Sequence, residues 1–461
     1  MNELLFDRLT GTISPLEFAT TLTESFYSIL HQRAKTGVFP ANCHKNAAVN
    51  SLSLETNDYQ FLLSGCADSS IKLWDLKKQE TQRKENEVDS SYIKTVSEYD
   101  DFDYDNPVET FSNVATIPRK SAHQFGISGL QWWPFDTGMF VTASFDHTVK
   151  IWDTNELTPV HSFDLDNRVY SIDICGQSSP NGLTSTALVA VGSDQPFIRL
   201  LDLRSTSSSH TLTGHKGKTL VVKWHPINPN LLTSGGLDGE VKIWDIRRSK
   251  SCLCRLDMLK TNTTQAISSD NLTKASVKAH SGPVNGLVWD ESGMTLYTAG
   301  NDDKVRVWDM VSTLAPPVNK LVNFGPLTRN KYPQTIPMLL NPKGETELQY
   351  LLFPSESSDV FVYRTIDGKM VSRLSRRGSK NSGRTTSMAS AGPFTGTYFC
   401  GTMDGEILIW SPHWDKPSVK GFLEQAEQTE HDLDLDPLQT YKENQEQLKL
   451  LEDDKFFNAN S

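Results

Sequence analysis

The sequence is poor in the features that mark membrane-spanning, secreted and nucleic-acid-binding chains. No apolar run approaches the roughly 18 residues that a bilayer span needs. The first residues, MNELLFDRLTG, lack the basic start and apolar centre of a signal peptide. The formal net charge is −11, whereas general affinity for nucleic acid depends on Lys and Arg neutralising phosphates. We therefore expect an intracellular protein with no membrane contact and no strong direct nucleic-acid binding.

Cysteine is also scarce, with six in a chain of 461 residues. None stands in a C-x-x-C pair, which disfavours zinc ribbons and redox dithiols. We expect these thiols to be buried in a protein of a reducing compartment. P-loop, H-E-x-x-H and G-x-S-x-G motifs are missing too. The sequence therefore predicts no catalytic, cofactor-binding or metal-ligating residue, and we expect a protein that is not an enzyme.

What the sequence does contain is a repeat, which decides the fold. Each copy has the pattern of a strand, a tight turn that contains Asp, and a second strand. The strong copies end in Trp-Asp and are SGCADSSIKLWD (64–75), TASFDHTVKIWD (142–153), TSGGLDGEVKIWD (233–245) and TAGNDDKVRVWD (298–309). The weaker copies are VAVGSDQPFIRLLDLR (189–204) and CGTMDGEILIW (400–410).

A fixed set of polar residues accompanies each strong copy. A His lies upstream, a Ser or Thr lies four residues before the turn Asp, and the Trp lies six residues after it. Hydrolases use Ser-His-Asp sets, but a hydrolase needs one set, whereas a scaffold needs one per unit. We therefore interpret the sets as buried polar pins that hold each sheet together. The sets are His44/Ser64/Asp68/Trp74, His123/Thr142/Asp146/Trp152, His215/Ser234/Asp238/Trp244 and His280/Thr298/Asp302/Trp308.

The pattern resembles the WD40 repeat, whose units form the four-stranded blades of a β-propeller. The interval between Trp308 and Trp410 is too long for one blade of about 40–45 residues. Residues 348–375, LQYLLFPSESSDVFVYRTIDGKMVSRLS, supply a divergent sixth blade that ends near Tyr363. We therefore predict an all-β fold, a seven-bladed propeller closed into a ring, which leaves no free sheet edges.

Segments outside the repeat define the other domains. We predict an N-terminal helix–loop–helix over residues 1–36, the propeller over 37–415, and an acidic, disordered tail over 416–461. Within the propeller, flexible insertions are expected at about 77–110, 249–276 and 375–387.

The N-terminal segment has clear helix signals. Gly11 can end a first helix, and Ser14, Pro15 and Glu17 suit the N-cap, first position and capping box of a second. Two interpretations of these helices stay open: a cap on their own propeller, or an element that docks on a partner. Apolar residues recur with helical spacing at Leu16, Ala19, Leu22, Phe26, Ile29 and Leu30.

A narrower resemblance is carried by longer stretches. LQWWPFDTGMFVTASFDHTVKIWDTNEL, ALVAVGSDQPFIRLLDLRS, VKIWDIRRSKSCL and LVNFGPL follow one another in this chain as similar segments do in the Cockayne syndrome group A family. The resemblance extends from the N-terminal helices to about residue 412, and the acidic tail also fits. The insertions at 77–110 and 255–275 depart from the shorter human-type form.

The resemblance implies a non-catalytic substrate receptor of a cullin-4-type E3 ubiquitin ligase, acting in transcription-coupled nucleotide excision repair in the nucleus. The implied partners are the ligase's damaged-DNA-binding adaptor, a Swi2/Snf2-type repair ATPase and RNA polymerase II. The adaptor would bind the helix–loop–helix and the bottom face of the propeller. The alternative function is a general WD40 interaction scaffold in chromatin or RNA processing, without a ligase role.

Candidate adaptor contacts follow from the same resemblance. A Trp-Asp-x-Arg signature, present at 244–247 and in a weaker form at 201–204, adds an Arg that can make bidentate bonds across an interface. Pairing of Arg247 within its own propeller is the alternative. The candidate contacts are Leu4, Leu5, Phe6, Leu9, Pro15, Leu16, Leu22, Arg204 and Arg247.

Overall fold

The computed structural model describes most of the chain up to residue 412. Within this part, two helices precede strands that form seven separate sheets, so the predicted seven-bladed propeller is confirmed. Among the described residues, no helix is both long enough and apolar enough to cross a membrane. The described residues are 2–28, 30–32, 36–39, 44, 47–81, 109–119, 121–134, 136–176, 188–248, 252–261, 277–310, 317–332, 334–356, 359–375 and 383–412.

The two predicted helices form where their caps indicate. Helix α1 spans Asn2–Thr10 and α2 spans Pro15–Ser28. Gly11 follows α1 with a φ of 75°, a conformation that suits glycine. The backbone N–H of Ser14 donates to the Glu17 carboxylate at 3.1 Å, and the N–H of Glu17 donates to the Ser14 hydroxyl at 3.2 Å. This reciprocal pair is the predicted capping box.

The strands follow in chain order, four to a blade. Two short strands come first: β1 (Leu30–Gln32) and β2 (Thr36–Val38). Blades one to three are β3 (Val49–Leu54), β4 (Phe61–Cys66), β5 (Ile71–Thr81), β6 (Glu109–Ile117); β7 (Ile127–Trp132), β8 (Met139–Ser144), β9 (Thr148–Asp153), β10 (Pro159–Asp164); and β11 (Val169–Ile174), β12 (Leu188–Ser193), β13 (Phe197–Asp202), β14 (Ser207–Thr213).

The remaining blades have the same up-and-down order. Blades four to six are β15 (Thr219–Trp224), β16 (Leu231–Gly236), β17 (Val241–Asp245), β18 (Cys252–Arg255); β19 (Val284–Trp289), β20 (Thr295–Gly300), β21 (Lys304–Asp309), β22 (Val318–Asn319); and β23 (Leu339–Leu340), β24 (Tyr350–Pro354), β25 (Val360–Arg364), β26 (Met370–Leu374). Blade seven contains β27 (Thr385–Ser390), β28 (Tyr398–Thr402), β29 (Ile407–Pro412) and, from the N-terminus, β1.

The ring closes through its two ends. Strand β1 pairs antiparallel with β29, with Leu30 opposite Pro412, while β2 adds a parallel fifth strand to β6 of blade one. The ring therefore begins at Leu30, and the boundary expected after residue 36 was placed too late. Strands of three residues carry too little periodicity to be found from sequence, and their partners lie far away in the chain.

The insertions are shorter than the sequence indicates. Residues 77–81 continue β5 and 109–110 begin β6. Likewise, 252–255 form β18 and 385–387 begin β27. Polar outer-edge strands resemble loops in composition, which explains these corrections. The centres of the insertions, the tail from 413 onward and Cys43 lie outside the described residues.

Apolar packing between neighbouring blades forms the core. The third-strand tryptophans Trp74, Trp152, Trp244 and Trp308 are all fully buried. Cys66, Cys175 and Cys400 are buried as expected, but Cys252 is exposed because β18 is the outer strand of its blade.

Two ends of the ring differ. We call the end with the turns between second and third strands, and the connections between blades, the turn face. We call the other end the helix face, because α2 leads directly into β1 there and contacts β26.

Candidate functional site

Each strong repeat brings its polar set into one hydrogen-bonded chain. In blade two, the indole N–H of Trp152 donates to the Thr142 hydroxyl at 2.8 Å. That hydroxyl lies 2.7 Å from Nε2 of His123, and Nδ1 of His123 lies 2.9 Å from the Asp146 carboxylate. Because the carboxylate can only accept, Nδ1 carries the proton and Nε2 accepts from the hydroxyl.

The same chain recurs in blades four and five. Its three links run from indole to hydroxyl, from hydroxyl to imidazole and from imidazole to carboxylate. The distances are 2.7, 2.7 and 3.1 Å for Trp244, Ser234, His215 and Asp238, and 2.9, 2.7 and 2.8 Å for Trp308, Thr298, His280 and Asp302.

Blade one departs from this pattern. Trp74 and His44 both bond the Ser64 hydroxyl, at 3.0 and 2.8 Å. Nδ1 of His44 lies 3.0 Å from the Ser70 hydroxyl, which in turn donates to Asp68 at 2.6 Å. The expected direct bond from His to Asp is thus relayed by Ser70. Burial, together with nearby Lys72, lowers the pKa of His44 to about 4.

The chains are closed to substrates. The imidazole and hydroxyl groups in them are fully buried, so no reacting group can approach the Ser or Thr oxygen. Burial is the largest single influence and opposes ionisation of the turn aspartates, but the hydrogen bonds and charges of His and the other neighbours together outweigh it. They lower the pKa of Asp238 to about 2 and hold the pKa values of Asp146 and Asp302 well below their usual range. This geometry fits a structural role, in which each chain holds its sheet together.

Sequence reasoning missed partners that complete these chains. The Thr148 hydroxyl donates to Asp146, and Arg306 pairs with Asp302 at 2.8 Å. Two glycines were missed as well: a Cβ on Gly236 or Gly300 would lie 2.6 Å from Nδ1 of the His in its blade. Two patterns in the sequence could have revealed these residues. A hydroxyl residue, Thr148, lies two positions after the turn Asp, and a glycine lies two positions after the Ser or Thr of the pin in blades four and five.

One group of possible metal ligands lies among the described residues. Ligand atoms of His44, Cys66 and Asp68 are all within 4.8 Å of one another. Both ring nitrogens of His44 are already bonded, and the Cys66 thiol donates to the carbonyls of Ala47 and Ala48. Burial raises the pKa of Cys66 to about 12, which disfavours the thiolate that binds metals. The set fits the structural role better than a metal centre.

Helix α2 is anchored to the helix face by one side of its surface. Ala19, Thr23 and Tyr27 are buried at helical spacing. The Tyr27 ring lies 4.9 Å from that of Tyr350 in β24. Beside it, Phe26 covers Gly396, which has no room for a side chain. Of the expected apolar stripe, Ala19 and Phe26 take part in this contact, while Leu16 points outward, so the cap interpretation describes α2.

A buried polar cluster lies beneath Tyr27. The Tyr27 and Tyr398 hydroxyls are 3.4 Å apart, and the Tyr398 hydroxyl donates to Oε1 of Glu345 at 2.7 Å. Among the described residues, Oε2 of Glu345 has no hydrogen-bond partner. Burial raises the pKa of Glu345 to about 7, against the opposing effect of the Tyr398 bond. We call these three residues the seam cluster, because they join α2 to blades six and seven.

Helix α1 behaves differently from α2, because its apolar side chains face solvent. Leu5, Phe6 and Leu9 are 46%, 65% and 86% exposed. Leu16 and Pro15 at the start of α2 are exposed too, whereas Leu4 and Leu22 are half-buried. Exposed apolar side chains on one short helix, held by an anchored second helix, are typical of surfaces that bind partners, and we call α1 the docking element.

The two candidate arginines lie at the same end of the ring as α2. Each follows the third strand of its blade, and both are exposed. The Arg247 guanidinium makes two bonds to Asp245, at 3.1 and 3.0 Å, which is the intramolecular pairing left open above. Asp245 also accepts the backbone N–H of Arg247, as Asp202 does from Arg204. The Asp of Trp-Asp therefore caps the turn that follows it.

The family of the repeats is recognised by comparison with known proteins. The model of the WD domain, G-beta repeat, matches residues 35–75, 113–153, 206–245 and 272–309. These are the four blades that carry the polar pins, while the three divergent blades are recognised by their geometry alone. The chain is a seven-bladed β-propeller in which four blades are recognised as WD40 repeats.

The names of individual relatives fall into two groups. WD repeat-containing protein ATCSA-1 of Arabidopsis thaliana is 28% identical over 72% of this chain and 80% of its own length. Radiation-sensitive protein 28 of Saccharomyces cerevisiae is 29% identical over 59% of this chain and 55% of its own. Ribosome biogenesis protein YTM1 of Podospora anserina is 27% identical over 57% and 53%. The chain thus spans little more than half the length of the latter two relatives.

Proposed function

We propose that this chain is a non-catalytic substrate receptor of a cullin-4-type E3 ubiquitin ligase. It acts in the nucleus in transcription-coupled nucleotide excision repair and bridges the ligase's adaptor to repair factors at stalled RNA polymerase II. The resemblance to the Cockayne syndrome group A family supports this proposal. So do the printed names of two relatives, ATCSA-1 and radiation-sensitive protein 28, of which the first covers most of this chain.

The docking element carries the proposal. Helix α2 is fixed to the propeller by Tyr27 and by ion pairs from Glu24 to Arg364 and Lys369. It presents α1, with Leu5 and Leu9 exposed, at the helix face. A receptor needs such a rigidly held apolar surface, because its adaptor and its substrate must stay in fixed geometry for ubiquitin transfer. In this proposal the ligase chemistry belongs to the partners, and the ring supplies the geometry.

The test is a double variant, Leu5→Asp with Leu9→Asp, in the full chain. Both side chains are exposed, so we expect unfolding stability within about 0.5 kcal/mol of the parent. Association with the purified damaged-DNA-binding adaptor should weaken at least about tenfold, because two apolar contacts become charged. Val160→Asp on β10 is the matched control, since the exposure of Val160, 66%, lies between those of Leu5 and Leu9, and Val160 lies on a blade edge. Unchanged adaptor binding by the double variant would contradict the proposal.

A second candidate is a scaffold in ribosome biogenesis. It is favoured by the printed names of YTM1 and of WDR12 homologues, one of which is 35% identical over 30% of this chain. Affinity purification from nuclear extract, with and without ultraviolet damage, distinguishes the two. Recovery of a cullin and RNA polymerase II supports the receptor, whereas pre-ribosomal proteins without either support the scaffold.

A further inference from the structure

Arg168 and Arg384 lie on the turn face, at the opposite end from α1, and neither is directly paired with a carboxylate of the described residues. The turn aspartates are bound in the pins, and Asp194 is paired with Lys218 at 2.6 Å. In the part of the chain that the structure describes, no carboxylate oxygen lies within 4.0 Å of the guanidinium of Arg168 or Arg384. The immediate surroundings of these two arginines can therefore accept an anion, although the whole chain is acidic.

Arg384 is held in place without a charged partner. Its guanidinium lies 4.1 Å from the centroid of the Tyr332 ring and bonds to the Gln334 side-chain oxygen. Its partial burial lowers its pKa, while Glu356 acts on it only at longer range. A carboxylate that reached this side chain would gain a charge-assisted bond to a group whose orientation is already fixed.

Apolar side chains border the same place. A cavity of about 490 Å³ lies where the turns and connections of blades one, two and seven meet. It is lined by Phe125, Phe145, Arg168, Arg384 and Met403, among others. Phe125 is 61% and Met403 53% exposed. Asp404 follows Met403, and one of its carboxylate oxygens accepts a hydrogen bond from the backbone N–H of Gly383. The cavity thus combines two available arginines with an adaptable apolar wall.

We propose that this cavity binds a short, extended, acidic segment of a partner protein that also carries a large apolar side chain. The apolar side chain enters between Phe125 and Met403, and flanking carboxylates meet Arg168 and Arg384. A nucleic acid would also satisfy the arginines, but the chain's net charge of −11 opposes its binding. The proposal deepens the proposed function, on which it rests only for the partner's biological role.

The experiment is selection of random 12-residue phage-displayed peptides on the intact protein. We expect enrichment of peptides with excess Asp and Glu around a Leu, Met or aromatic residue. A synthetic peptide from that pool should bind at least about tenfold more weakly to Arg384→Glu, because attraction becomes repulsion. Met403→Asp tests the apolar wall independently. Lys77→Glu, at an exposed cation on the helix face, is the charge-reversal control and should bind normally.

The possible outcomes separate this inference from the receptor role. Peptides without acidic excess, or binding that Arg384→Glu and Met403→Asp leave unchanged, overturn the inference. Tighter binding of a 20-nucleotide single-stranded DNA than of the selected peptide also overturns it, in favour of a nucleic acid. Adaptor binding reports on α1 at the opposite face, so the turn-face variants should retain it. Failure of one proposal is therefore visible without failure of the other.

Discussion

The propeller contains two kinds of buried polar cluster, and they differ in what burial does to the carboxyl group. In the pins of blades two, four and five, every polar atom has a partner and the turn Asp has a lowered pKa. In the seam cluster, one oxygen of Glu345 has no partner among the described residues and its pKa is raised. The pins therefore stabilise an ionised group, whereas the seam favours a neutral one.

The difference has a structural consequence. The pins lie within single blades and make each sheet rigid by local hydrogen bonding. The seam joins elements that are distant in sequence, since Tyr27 meets Tyr398 across the closing blade. We infer that the seam cluster is a separate joint between the ring and the helix that presents the docking element.

The largest expected effect comes from breaking a pin. His123→Ala leaves the Thr142 hydroxyl and the Asp146 carboxylate buried without their partner, which costs about 3–5 kcal/mol. Denaturant unfolding of the full chain measures this loss. His161→Ala is the matched control, because this His lies on β10 of the same blade outside the pin. Equal stability of the two variants would show that the pin contributes nothing.

Breaking the seam should have a smaller and more local effect. Tyr27→Ala removes a fully buried ring and should destabilise the docking of α2 by about 3 kcal/mol. Hydrogen exchange should accelerate across residues 15–28 but not in β15 to β17, on the far side of the ring. Tyr59→Ala, at a partly exposed ring on the helix face, serves as control. Faster exchange throughout the ring would refute the idea of a separate joint.

The smallest expected effect is a pH dependence with opposite signs for the two clusters. The folded pKa of Glu345, about 7, exceeds its unfolded value, so its favourable contribution is complete below about pH 4.5 and is lost as pH rises through 7. Glu345→Gln should therefore stabilise the protein by about 1–3 kcal/mol at pH 8 and little at pH 5.

Asp238 provides the contrast. Its folded pKa of about 2 lies below its unfolded value, so its contribution is present above about pH 4 and is lost as pH falls towards 2. Asp238→Asn should flatten the acid limb of the stability profile and leave the region around pH 7 to 8 parallel to the parent. Thermal unfolding between pH 2 and 9 measures both variants. If the two variants changed the pH dependence of stability in the same direction, the assignment of a raised pKa to Glu345 and a lowered pKa to Asp238 would be contradicted.

The repeat was readable from sequence because its chemistry is local. His, hydroxyl, Asp and Trp recur at short, fixed spacing, and Ser14 with Glu17 forms a capping box within one helical turn. Even the divergent sixth blade was predicted, since Tyr363 occupies the third strand where other blades have Trp. Patterns of this kind can be recognised from residues that lie close together in the sequence.

The parts that the sequence did not reveal depend on distant partners. Strand β1 is three residues long and is defined by its pairing with β29 at the other end of the ring. Tyr27 gave no signal, because its importance comes from Tyr350 and Tyr398. The relay through Ser70 in blade one replaced the expected direct bond, since the hydroxyl lies between His44 and Asp68.

Sequence by itself determined the class of fold, the number of blades and the residues of the pins, because six of the seven blades are built from consecutive strands. Tertiary structure alone decided which helix is anchored and which is exposed, and where Arg168 and Arg384 meet Phe125 and Met403. Closing the ring brings together turns from blades that are far apart in the chain. Surfaces made in this way have no local signature, and those surfaces are the parts of the molecule available to its partners.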